Sequence, residues 1–351
     1  MVKKKTGEEP KLNINQEIRL LREGKPERLY FLWGQEDYLR EYFLQELKKS
    51  CLPEGEDSFS YRRLDGPELD GNTLREAVDA MPFLTERSFV ELRDVDLNRL
   101  REPETLLDIL SDIPDYCTVA LVQGVSFEPD GRTKLIKGLR AAAKEMNFQQ
   151  QSQDALIRWI AKRFAAAGKS VEMEAAQELI FISGDLMNRL IPEIEKVAAY
   201  APGARVTVED VDAVAHHIPE ADIFRMTDCI AEKRYHELLR ILAELLSDKS
   251  NEPIAMLGML GLQMRRLYAA RLAVDRQLGS KYVMDACSVK HEFLAKKLLR
   301  SAQGYSLAQL RYIVALCAET DYRMKSSGAD DVGLFKELVL RIAAGESHAQ
   351  A

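Results

Sequence analysis

The alternation of apolar and polar positions changes character near residue 150. Before it, short apolar runs alternate with stretches of helical period. "LYFLW" precedes a helix over Asp37–Lys49, and "SFSYRRL" precedes one over Leu74–Met81, where Leu74, Ala77, Val78 and Met81 recur at helical spacing. "SFVEL" leads into "EPETLLDILSDI", whose Pro103 falls in a first turn, where a missing N–H is harmless. "CTVALVQ" leads into "TKLIKGLRAAAKE", and "NFQQQ" closes the series. Five short strands alternating with helices predict a parallel sheet covered on both faces. The continuous apolar run "TVALV" suits a strand buried on both sides.

After about Ser152 the strand signal nearly vanishes. Residues 153–219 predict a compact helical piece. In it "DALIRWIAKRFAAAG" ends on Gly168, suited to a left-handed helix cap. Pro192 predicts a bend or break in "DLMNRLIPEIEKVAAYAPG", Thr207 opens "TVEDVDAVA" with a capping-box pattern, and "HHIPEAD" reads as a linker. From Asp222 the pattern is wholly helical, with a long helix around Pro253–Gln277 whose Leu257, Leu260, Met264 and Leu267 form one core-facing stripe. The fold class expected is multidomain, α/β plus all-α. Its parts are an α/β domain over residues 1–150, a small helical domain over 151–219 and a larger helical bundle over 220–347.

Composition narrows the function. A chain of 351 residues with 46% hydrophobic and 30% charged residues reads as globular and soluble, with two or three domains. No apolar run approaches the roughly 20 residues of a membrane span. The basic start "MVKKKTGEEPKLN" has no apolar stretch behind it, so no secretory signal is expected. Cys51, Cys117, Cys229, Cys287 and Cys317 are scattered through apolar segments, as buried reduced thiols of a cytosolic protein are. A net charge of −7 gives no broad footprint for nucleic acid, so any DNA contact must be local.

Candidate chemistry begins at Gly34. A glycine after a short apolar strand and before a helix is the frame of a phosphate loop, G-x-x-x-x-G-K-[ST], whose backbone N–H groups cradle phosphates. Counted from Gly34, the second glycine is Leu39, the lysine is Arg40 and the hydroxyl is Glu41. Asp94 follows the third strand without an acidic pair, and Gln123 ends the fourth where a nucleotide sensor would stand. His216 and His217 are adjacent and lack a ligand partner at metal spacing, and no nucleophile elbow or H-E-x-x-H occurs. No catalytic residue, cofactor or metal is therefore expected. In "AVDAMPFLTERSF" Pro82 stops the second helix and leaves Phe83 and Leu84 on the turn, either packed under the domain or standing outward. Arg265, Arg266, Arg271 and Arg276, followed by Lys296, Lys297 and Arg300, form either a solvated helix face or a patch facing phosphates or another subunit. Tyr305 and Tyr312 read as packing residues.

Taken in order and spacing, "LYFLWGQEDYLREYFLQELKK", "MPFLTERSFVEL", "GDLMNRLIPEIEKVAAYA" and "TDYRMKSSGADDVGLFKELVLRI" resemble the delta subunits of the bacterial DNA polymerase III clamp loader, from about Leu29 to Ala344. The resemblance implies an AAA+-like sheet domain with no working nucleotide site, a small helical domain and a helical collar for oligomerisation. It implies a non-catalytic subunit of the DNA polymerase III holoenzyme, a cytoplasmic DNA-directed DNA polymerase (a nucleotidyltransferase complex). Such a subunit binds and opens the sliding clamp, the beta subunit, so that it can be loaded on primed DNA. The implied partners are that clamp, the ATPase gamma/tau and delta-prime subunits and, through the complex, primer–template DNA, with no membrane. Phe83 and Leu84 match two apolar residues that enter a pocket on the clamp, to within one residue of register, and Arg87 matches a nearby arginine. Arg265, Arg266, Lys296 and Lys297 become candidate contacts to DNA or neighbouring subunits. Two alternatives remain, an ATP-binding AAA+ subunit of the same machine and a DNA-binding adaptor unrelated to clamps. Arg40 in place of a compact ammonium weighs against the first, and the charge of −7 against the second.

Overall fold

The computed structural model describes residues 13–52, 59–66, 69–83, 85–100, 102–326, 328 and 330–345. The chain divides into two compact units. One runs to Ser152 and includes Leu186–Asn188; the other comprises Gln153–Asp185 and the chain from Arg189 on.

The first unit carries a five-stranded sheet, as the alternation predicts. Its elements are α1 (Ile14–Arg22), β1 (Leu29–Trp33), α2 (Asp37–Cys51), β2 (Tyr61–Asp65), α3 (Gly71–Asp79), β3 (Ser88–Arg93), α4 (Pro103–Ser111), β4 (Cys117–Val122), α5 (Lys134–Ala142) and β5 (Lys144–Asn147). The strands pair in parallel in the order β2-β3-β4-β1-β5. Period-two alternation sorts the side chains to the two faces. Leu29 and Phe31 of β1 join Val119 and Leu121 of β4 in a core closed by α3, α4 and α5. Tyr30 and Leu32 turn to the other face, where Phe43, Leu44 and Leu47 of α2 and Ile18 and Leu21 of α1 cover them. The edge strand β2 carries Arg62 and Arg63 exposed, which blunts it against pairing with another chain.

Two boundaries differ from the periodicity. The helix α3 ends at Asp79, not at Met81; Ala80 is already extended, with φ −62° and ψ 118°. Proline disfavours helical backbone in the residue before it, so Pro82 removes Met81 from the turn that its spacing suggested. The fifth strand is Lys144–Asn147 rather than "NFQQQ", because its register on β1 runs from Tyr30 opposite Lys144 to Trp33 opposite Asn147.

The second unit is helical except for a short parallel pair, β6 (Ser170–Val171) and β7 (Arg205–Val206), which the sequence pattern does not show. Its helices are α6 (Gln153–Ala166), α7 (Met173–Ser183), α8 (Met187–Tyr200), α9 (Val208–Val214), α10 (Pro219–Ala231), α11 (Tyr235–Ser247), α12 (Pro253–Asp275), α13 (Ser280–Cys287), α14 (Glu292–Ser301), α15 (Leu307–Ser326) and α16 (Asp331–Ala344). Pro192 does not break α8. It stands in the second turn, where the one carbonyl left without its N–H belongs to Asn188 at the helix start. Pro219, inside the segment read as a linker, opens α10 from its first turn. The stripe Leu257, Leu260, Met264 and Leu267 is buried as its spacing predicts, in a core with Leu316, Phe335 and Leu338.

Candidate functional site

Adjacent strands β1 and β4 send their connecting helices to opposite faces, α2 to one and α5 to the other. In such sheets ligands bind in the crevice beyond the carboxyl ends of those strands. Here the crevice is filled from within. Gly34 has φ +124°, a conformation open to glycine, and a Cβ there would lie 2.5 Å from the Phe148 carbonyl oxygen. Two of the loop N–H groups are spent inside the chain. Glu36 N donates to Phe148 O at 2.8 Å and Asp37 N to Gln35 O at 3.1 Å. Arg40, 4% exposed, donates from Nη1 to Gly34 O at 2.8 Å, and its other nitrogen pairs with Asp37. The acidic Glu36 side chain is fully buried in the same loop, which carries no lysine.

The third diagnostic position is committed as well. Glu41 takes a bidentate pair from Arg93, with Nη1 and Nη2 at 2.8 and 2.7 Å. Arg93 also pairs with Glu91, which is fully buried and accepts from Lys48 at 2.6 Å and from the Tyr61 hydroxyl at 2.9 Å. Burial alone would raise the Glu91 carboxyl; hydrogen bonds from Lys48 and Arg93 outweigh it and hold it below the usual range. Gln123, at the sensor position, is buried, with its side-chain nitrogen lacking a partner among the described residues, and Asp94, the lone acid after the third strand, has a left-handed backbone, φ 51°.

At the far end of α3 the character reverses. Phe83 is 59% exposed, Met81 81% and Phe59, from the segment entering β2, 76%. The Phe59 and Phe83 rings meet edge to face, with centroids 6.0 Å apart. The loop is nevertheless pinned. The buried Ser60 hydroxyl accepts from Phe83 N at 3.0 Å and donates to Phe83 O at 3.3 Å, and Thr85 Oγ1 lies 2.7 Å from it. Arg87 is half-buried and donates from Nη1 to Asp115 O at 3.4 Å. Leu84 lies outside the described residues.

Family models match both ends of the chain. The model for "DNA polymerase III, delta subunit" covers residues 30–149, and that for "DNA polymerase III delta subunit, C-terminal domain" covers 220–342. The chain belongs to the DNA polymerase III delta-subunit family. It is 24% identical over 331 residues to the DNA polymerase III subunit delta of Bacillus subtilis (strain 168), covering 91% of this chain and 94% of that one. It is 22% identical over 323 residues to a probable DNA polymerase III subunit delta of Aquifex aeolicus (strain VF5), covering 89% and 90%. The structure of the Bacillus subtilis DNA clamp loader delta protein shares the fold, with a TM-score of 0.54 at 21% identity over 95% of this chain and all of that one.

The basic residues singled out in this delta-family chain do not form one surface. Lys297 is turned inward, 2.7 Å from Glu178 and 3.8 Å from the centre of the Phe181 ring. Lys296 pairs with Glu292 one turn earlier, and Arg271 with Asp275. Arg265 is exposed and lines an open cavity of about 310 Å³ with Tyr268, Arg311 and Val314. Arg266 lines a different cavity, of about 200 Å³, with Gln263 and His291. Tyr305 is buried with its hydroxyl on Thr227 O, a packing residue as expected. His217 sits 3.1 Å from Asp222 and 3.2 Å from Arg225, within an ion-pair group. Sequence reasoning missed Phe59 and Met81. For Met81 the signal was present, since the proline after it argues against a helical, core-facing position. For Phe59 none was, because its partner Phe83 reaches it through the fold.

Proposed function

We propose that this chain is the subunit that grips and opens a sliding clamp, the beta subunit, while partner subunits bind and hydrolyse ATP. The observation that carries the reading is an apolar loop held outward and pinned on a domain whose phosphate loop is occupied by its own side chains. Exposed aromatic and methionine side chains on a fixed loop are what a protein contact needs, whereas singly scattered ones need no explanation. In this reading Phe83 and Leu84 enter a clamp pocket and Arg87 flanks them. Residues 1–150 bind the clamp, 151–219 are a small helical domain, and 220–347 join gamma/tau and delta-prime subunits in the cytoplasm. Arg265 and Arg266 are the better placed of the basic candidates for neighbouring subunits or primer–template DNA; Lys296 and Lys297 are already paired.

The reading has no catalytic role for this chain and no nucleotide. Titration with magnesium ATP is expected to give no binding, and Arg40→Lys is expected to change nothing, because the buried Glu36 side chain and the hydrogen bonds of the Glu36 and Asp37 N–H groups remain. A micromolar affinity abolished by Arg40→Ala would assign the chain to the ATP-binding subunits instead. Capture of the cognate clamp by the full-length chain without nucleotide is the positive counterpart. Failure to capture it removes the proposal.

A further inference from the structure

We infer that the docking element is a preorganised pair of aromatic rings, Phe59 and Phe83, and that Ser60 is the residue that positions it. The inference rests on the reading of the Phe83 loop as the clamp-docking surface and extends it to a segment that the resemblance does not single out. Ser60 stands between scaffold and loop. Its carbonyl accepts from Phe89 N of β3 at 2.8 Å, which ties it to the sheet. Its hydroxyl closes both backbone polar groups of Phe83, at 3.0 and 3.3 Å, and takes the Thr85 hydroxyl as a third neighbour at 2.7 Å. A surface residue whose N–H and C=O are both held by one buried side chain cannot swing with its loop. The neighbour in sequence, Phe59, sets its ring at 88° to that of Phe83. Edge-to-face geometry is one of the favoured arrangements of aromatic pairs, so each ring restrains the other before any partner arrives.

The two rings meet in one apolar projection, and Met81 is a third exposed apolar side chain two residues before Phe83. The surface that fits it is an apolar pocket wide enough for two rings set edge to face. Such a pocket would bury groups that are already ordered, so less freedom is lost on binding than for a mobile loop. Ser60 itself is 5% exposed, so it acts through Phe83.

A double-mutant cycle on clamp affinity tests this, using the full-length protein and melting temperature as the control for folding. Phe59→Ala is expected to weaken clamp binding about tenfold or more, as a hot-spot ring does. Its side chain is largely in solvent, so melting should not move. Ser60→Ala is expected to weaken binding about fivefold, the worth of a lost hydrogen bond. In a Phe83→Ala background, the same Ser60→Ala change should weaken binding no further, because the residue it positions is gone. An equal loss with and without Phe83, accompanied by a lowered melting temperature, would make Ser60 merely structural. If Phe83→Ala weakens binding while Phe59→Ala and Ser60→Ala leave it at the wild-type level, the inference fails and the clamp reading stands. If the wild-type chain does not bind the clamp, both fall.

Discussion

The guanidinium of Arg40 stands where a phosphate loop carries its lysine, and its bond to Gly34 O makes that loop complete without a ligand. The identities of Gly34, Arg40 and Glu41 were legible in the sequence because a phosphate loop is a local motif. The partners that close it, Phe148 and Arg93, were not, because each arrives from a distant strand end. Asp228 in α10 gives a test at the same scale. Burial first, and the nearby Glu232 charge with it, push its carboxyl above the usual aspartate range. A raised carboxyl means that the ionised form costs stability in the folded state, most fully at pH values above the raised value. Asp228→Asn should therefore raise the melting temperature at neutral pH. The gain should close as pH falls below the ordinary aspartate range, where folded and unfolded states are both protonated. A gain that stayed constant across that range would place its cause outside the titration.

Strand β3 shows what periodicity alone cannot read. "SFVEL" was legible as a strand, yet its glutamate is fully buried. Lys48 from α2, Tyr61 from β2 and Arg93 from β3 itself surround Glu91, so a helix and two strands are locked through one carboxylate. Breaking a buried pair by removing one partner strands the other charge, at a cost of about 3–5 kcal/mol. Glu91→Ala should lower stability by that order, with little dependence on salt, since the group is shielded from solvent. Acid melting of the wild type should show the same pair. A carboxyl held below its unfolded value contributes stability at neutral pH that is lost as pH falls through its folded value. The variant should lack that acid-side loss, and an unchanged acid profile would contradict the assignment. The end of α3 was misread for a different reason. Helical spacing placed Met81 in the core, while the proline after it sets that residue outside the helix and 81% exposed.

Across the whole molecule, the change of period near residue 150 separates a parallel sheet from helices, and the structure divides at Ser152. What the pattern did not carry was the short β6–β7 pair, whose two-residue strands are below any periodicity. Nor did it carry the true place of Lys297, which a count of charges assigns to a basic face and the fold turns onto Glu178. In the proposed function the first unit is a gripping element, with its phosphate crevice closed at one point and an apolar projection open at another. We propose that this projection holds a sliding clamp. The most direct measurement is the dissociation constant for the cognate clamp of the full-length chain and of its Phe83→Ala, Leu84→Ala double variant, each with its melting temperature. Two apolar groups worth roughly 1.5–3 kcal/mol each predict at least about a hundredfold loss of affinity with melting unchanged. A double variant that melts like the wild type and binds the clamp as tightly would contradict the claim.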